Sequence, residues 1–138
     1  MAEREDAVEV ALRALRVRDR TAAELDSRLA ERGLDAAERE DALERLERAG
    51  YVDDGRFARL RAEQLAGRGS GDALIRHDLE PRGVAGEHVD AALDTLEPER
   101  ERAARIVARR GSGPKTTRYL ASRGFGEDAL AVAVAWQD

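Results

Sequence analysis

Residues Gly50 to Val84 read G-Y-V-D-D-G-R-F-A-R-L-R-A-E-Q-L-A-G-R-G-S-G-D-A-L-I-R-H-D-L-E-P-R-G-V and hold one copy of a pattern that the chain writes three times. Its centre is a leucine, two spacers, an Arg-Gly pair and an apolar residue. Leu29 to Leu34 is L-A-E-R-G-L, Leu79 to Val84 is L-E-P-R-G-V, and Leu120 to Phe125 is L-A-S-R-G-F. Twelve residues before each glycine stands a small residue suited to opening a helix: Thr21, Gly71 or Ser112. Ten residues after each glycine comes an apolar one: Leu43, Leu93 or Val134. The glycines lie 50 and 41 residues apart, so the frame is constant and the joining pieces vary. This is the signature of a tandem repeat protein.

Outward from that frame the chain divides into three units of three helices each: residues 1–52, 53–97 and 98–138. In the first unit Val8, Ala11, Leu12 and Leu15 recur at helical spacing. Thr21 and Glu24 form a capping box for a second helix that buries Leu25 and Leu29 and stops at Gly33, free to turn left-handed. A third helix turns Ala42, Leu43 and Leu46 inward, with Arg39 where the later copies have Val89 and Leu130, so its core should be thinner there. In the second unit Asp53 or Asp54 caps a helix with Phe57, Leu60 or Ala58, and Leu65 on its apolar side. Gly67 to Gly71 reads as a flexible linker. Leu74, Ile75 and Leu79 mark the next helix, whose last turn Pro81 makes irregular. Val89, Ala92, Leu93 and Leu96 mark the one after. In the third unit Ile106 and Val107, then Tyr119 and Leu120, then Leu130, Ala133, Val134 and Trp136 define three more helices. The expected fold is all-α, with small helix-turn-helix-like repeats sharing cores along an elongated, curved module.

Composition bounds the function. Charged residues make up 38% of the 138 and aromatics only 4%, a mixture that favours helices over aromatic-rich binding surfaces. The absence of cysteine removes disulfides and thiolate metal sites. With no secretory signal and no long apolar run, the chain reads as a soluble, cytoplasmic protein without a membrane partner. The net charge of −5 hides a gradient. Residues 1–50 carry 10 basic and 14 acidic side chains, residues 51–97 carry 6 and 10, and residues 98–138 carry 8 and 5. All the basic residues but Lys115 are arginines, which grip carboxylates and phosphates in a planar, two-toothed way that lysine cannot match.

Catalytic motifs fail on inspection. Gly111 to Thr117, G-S-G-P-K-T-T, lacks the four residues between glycines and the Gly-Lys pair of a phosphate loop. His77 and His88 sit on different helices without metal-ligand spacing. Asp53 and Asp54 are adjacent at a helix start and point apart, which suits capping. No metal, cofactor or catalytic residue is expected, and the chain reads as a binding protein.

Particular residues of the repeats resemble the RecX family, small bacterial regulators of the RecA recombinase. In the first unit they are Arg20, Thr21, Glu24, Leu25, Leu29 and Gly33. In the second they are Asp53, Asp54, Arg56, Phe57, Ala58, Arg68, Gly71, Ile75, Leu79 and Gly83, and in the third Arg118, Leu120, Arg123, Gly124 and Phe125. The chain departs from the family pattern in its preference for arginine over lysine and in its acidic total charge. The resemblance implies a non-enzymatic monomer that lies in the groove of a RecA–single-stranded-DNA filament. There it would hinder ATP turnover, strand exchange and coprotease action. The contact residues expected are the solvent-side arginines Arg56, Arg59, Arg68, Arg76, Arg105, Arg109, Arg118 and Arg123. A stand-alone helical DNA-binding protein is the rival reading, since small three-helix units also serve as DNA-reading modules.

Overall fold

The structure, a computed structural model, describes residues 5–134. Helices α1 (Ala7–Val17), α2 (Ala22–Glu31) and α3 (Ala36–Arg48) come first. They are followed by α4 (Asp54–Gly67), α5 (Asp72–Leu79) and α6 (Gly86–Asp94), then α7 (Glu99–Arg110), α8 (Pro114–Ser122) and α9 (Glu127–Leu130). Two 3-10 turns, Glu80–Arg82 and Ala131–Ala133, extend α5 and α9. No strand occurs among the described residues, and the fold is all-α.

Each trio of helices closes on its own apolar cluster. The first is built from Val10, Ala11 and Ala14 of α1, Leu25 and Leu29 of α2, and Ala42 and Leu46 of α3, among others. The second centres on Ala58, Ala62, Ile75, Leu79, Val89 and Ala92. The third centres on Ala103, Ile106, Leu120, Phe125, Ala129 and Ala133. The three clusters are distinct, so the expectation of cores shared between neighbouring units is corrected: the units keep separate cores and meet through polar junctions.

The apolar stripes are shifted from their expected centres. In α1 the buried line runs through Ala7, Val10, Ala11 and Ala14, while Val8, Leu12 and Leu15 pack at its margins. In α4 it runs through Ala58, Ala62 and Leu65, and Leu60 is left 45% exposed. The cause is the same in both. Small alanines make up most of each buried line, which lets neighbouring helices pack closely, and larger side chains fill the flanks. Val134 is likewise 57% exposed, and Trp136 lies outside the described residues.

Local signals behave as their chemistry requires. The Thr21 side chain accepts from the Glu24 N–H, and Glu24 accepts from the Thr21 N–H at 3.0 Å, completing the box. Gly33, Gly83 and Gly124 are all left-handed, with φ of 82, 84 and 86°. Pro81 sits inside the 3-10 turn that ends α5. Arg39 closes the gap left in the first core: half-buried, it pairs with Asp26 at 2.9 Å and donates to the Leu34 carbonyl at 2.7 Å. Ser112, expected to open a helix, is exposed, and Gly113 takes the N-cap position of α8.

Candidate interaction surface

The surface is built on two junctions that use the same repeat positions. At the first, the residues opening α2 meet the Arg-Gly corner of the second unit. Thr21 Oγ1 donates to the Arg82 carbonyl at 2.6 Å, and Glu24 pairs with Arg82 at 3.3 Å. The Ala22 N–H donates to Asp54 Oδ1 at 2.9 Å. Asp53 and Asp54 thus divide the work. Asp53 caps α4 through the Arg56 N–H, which holds its carboxyl below the usual range, and Asp54 ties α4 to α2.

At the second junction Gly71, the counterpart of Thr21, meets Arg123-Gly124. The Gly71 N–H donates to the Arg123 carbonyl at 2.7 Å and the Ala73 N–H to the Gly124 carbonyl at 3.1 Å. Glu99 bridges across, accepting from the Asp72 N–H at 2.6 Å and the Gly126 N–H at 2.8 Å. Arg102 donates to the Ser70 and Glu97 carbonyls, pairs with Asp72 and lies over the Phe125 ring. Ser70 is only 1% exposed. The glycine-rich stretch expected to be a flexible linker is therefore a pinned joint. Close approach is the work of Gly71, where a Cβ would lie 2.5 Å from the backbone of Gly124 and Phe125, while Gly69 is left-handed at φ 88°.

This joint gathers cations. Gly67, Arg68, Gly69, Ile106, Arg109, Arg110 and Tyr119 line a cleft of about 380 Å³ that has three arginines and no carboxylate in its wall. The Arg110 guanidinium lies 3.6 Å from the Tyr119 ring centre, a cation–π stack that fixes the charge in place. A neighbouring hollow of about 300 Å³ adds Arg102 and Arg105, with Glu97 as its one acid. A larger cleft of about 610 Å³ shares Arg68 and brings in Arg82 and Arg123, with Glu24, Asp78 and His77.

The sequence-predicted arginines do not all come together. Arg68, Arg105 and Arg109 converge on the joint, and Arg123 is half-buried within it, donating to Ser70 Oγ at 3.3 Å and the Arg68 carbonyl at 3.4 Å. Arg118 is exposed on α8, and neither it nor Arg109 has an ion pair among the described residues. Arg105 is exposed with Glu97 at 2.6 Å. Arg56 lies at the opposite end of α4 from Arg68, about 18 Å along the axis at 1.5 Å per residue, and donates to the Gly50 carbonyl, while Arg59 lies about 13 Å from Arg68. The charge of Arg76 is already answered by Asp90 at 2.5 Å and Glu80 at 3.5 Å. Sequence reasoning passed over Arg110 and took Tyr119 for core alone. Their stack joins two helices, and no linear spacing announces it.

Among the described residues no group of three or more His, Asp or Glu could hold a metal ion, and no helix is long and apolar enough to cross a membrane.

Residues 53–93 match the family model described as RecX, second three-helix domain. A protein of Halorhodospira halophila named Regulatory protein RecX is 34% identical over 140 residues, covering 94% of this chain and 87% of its own length. One of the same name from Chromohalobacter salexigens is 36% identical, covering 93% and 91%. The crystal structure of RecX from Lactobacillus salivarius superposes with a TM-score of 0.81 over 92% of this chain and 91% of that one. Its identity is 16%, so that likeness speaks for the fold.

Proposed function

This chain belongs to the RecX family, and from that premise we propose that it regulates RecA by binding it as a RecA–single-stranded-DNA filament. The module seats in the filament groove, hinders ATP turnover, strand exchange and coprotease action, and acts in the cytoplasm during DNA repair and recombination. The mechanism is steric and electrostatic, with no bond made or broken. What carries the reading is the cation-rich third unit and its joint with the second: residues 98–123 hold eight basic side chains against two acids, and Arg68 of the second unit adds to them at the joint. A filament groove that presents phosphates or carboxylates meets this patch first.

The protein acts as a monomer. Where Glu24 meets Arg82 at the first junction, the matching residue of the third unit is Lys115. A second copy stacked end to end would set Lys115 against Arg32 of the first unit's corner, and like charges oppose that contact.

The carboxylate-free cleft around Arg68, Arg109 and Arg110 also favours a second reading, direct binding of DNA. The two separate in one experiment. At a fixed moderate salt, affinity for a RecA filament on single-stranded DNA is compared with affinity for the same strand bare. Filament regulation requires at least about tenfold tighter binding to the filament, some 1.4 kcal/mol. Equal affinities would favour the stand-alone DNA-binding protein.

A further inference from the structure

We propose that the cleft edged by Arg68 and Arg123 receives an acidic side chain of the protein partner, with Leu65, Leu74 and Pro81 packing against the segment that carries it. This rests on the functional reading above and names the chemistry recognised at the joint.

Arg123 is the first reason. The other half-buried arginines almost all have a carboxylate: Arg39 has Asp26, Arg61 has Asp78, Arg76 has Asp90, Arg82 has Glu24 and Asp78, and Arg102 has Asp72. Arg20, the other exception, donates to the Ala14 carbonyl at 3.1 Å. Arg123 has only the long contacts to Ser70 Oγ and the Arg68 carbonyl, and its Nε is buried with no acceptor. Nε is closed to a partner as well as to water, so an incoming carboxylate would meet the outer nitrogens of the guanidinium, of which Nη2 makes only those long contacts. The exposed side chain of Arg68 stands at the same cleft with no ion pair among the described residues.

The cleft's own acids do not meet that demand. Asp78 is held in a two-toothed pair by Arg61, at 2.9 Å on both oxygens, and Glu24 by the Thr21 N–H, Arg18 and Arg82. Those same acids decide between occupants. A phosphate backbone entering here would run past Glu24 and Asp78, on units whose charge is net negative. A single carboxylate on a protein segment needs only the Arg68–Arg123 edge, and its methylenes and neighbours suit the apolar wall. At about 610 Å³ the cleft has room for such a segment.

The test exploits composition, since Lys115 is the only lysine. Arg123→Lys and Arg68→Lys are each bound to the RecA–single-stranded-DNA filament and treated with a carbodiimide. This joins an amine to a carboxylate in contact with it, and the parent supplies the background from Lys115 and the N-terminus. An amide between residue 123 or 68 and an Asp or Glu of RecA is expected, located by mass spectrometry. Separately, the Arg68→Gln, Arg123→Gln double variant, checked to melt as the parent does, should bind the filament about tenfold more weakly, the scale of one lost charge-assisted pair. Bare single-stranded DNA, for which Arg68 supplies one cation among several, should lose clearly less than the filament does. The inference is overturned if both lysine variants bind the filament but link only to their own Glu24, Asp78 or Glu80. It is overturned equally if the double variant loses bare DNA and filament in proportion, which would make the site a phosphate site. Undiminished filament binding by the double variant sinks this inference and leaves the functional reading standing. A parent that ignores the filament sinks both.

Discussion

Gly33, Gly83 and Gly124 share one backbone conformation and differ in what surrounds them. A Cβ on Gly33 would meet nothing, one on Gly83 would land on Ala23 of the preceding unit, and one on Gly124 would press on Leu74. Gly33→Ala therefore pays conformational strain alone, about 1 kcal/mol. Gly83→Ala adds an overpacked junction and should cost about 2–4 kcal/mol. Urea denaturation of the two variants checks this, and equal losses would mean that the Gly83 corner does not hold the units together. Asp78 gives a second test. The Arg61 hydrogen bonds hold its carboxyl below the ordinary value, with Arg82 adding to the effect. Its folded pKa being lowered, the pair contributes stability above the unfolded value of about 3.9 and loses it as pH falls through the folded value. Asp78→Asn should thus be less stable than the parent at neutral pH, with the gap narrowing below about pH 4. A gap that stays constant to pH 2 would contradict the pairing.

At the scale of elements, the opening of α2 is both a cap and a joint. Thr21→Val keeps the shape but loses the cap, worth about 1 kcal/mol, and leaves the Arg82 carbonyl without its donor, about 1 more. A loss of about 2 kcal/mol in chemical denaturation is expected, most of it spared in Thr21→Ser. A loss below about 0.5 kcal/mol would show that the bond across the junction contributes nothing. The cap was legible because Thr21 and Glu24 are three residues apart, and the glycine stops were legible because left-handed backbone has few other tenants. The bond from Thr21 to Arg82 spans 61 residues and leaves no local trace. Gly67 to Gly71 shows the limit best. Glycine reads equally well as freedom or as close approach, and only the position of Arg123-Gly124 decides for the second. The candidate site divides likewise. That arginines gather in the third unit is a matter of counting, but Arg68 joins them, and Arg76 is spent on Asp90, through folding alone.

Across the whole molecule, three separate cores are linked by two polar joints, and the second joint carries the surface proposed to meet RecA. The central claim is that this cationic joint grips the RecA filament. It is tested most directly by the DNA-dependent ATPase of RecA, titrated at several salt concentrations with the parent and with an Arg105→Gln, Arg109→Gln, Arg118→Gln variant. These three side chains are exposed, lie outside the apolar clusters and stand on helices, where glutamine is nearly as favourable as arginine, so the variant should fold. Cations set against a polyanion release its counterions, so their loss lowers both affinity and the steepness of its salt dependence. The account predicts that the parent inhibits the ATPase, and that the variant needs at least about tenfold more protein for the same inhibition, with a flatter salt response. Inhibition by the variant as strong as the parent's at moderate salt, with the same salt slope, would contradict it.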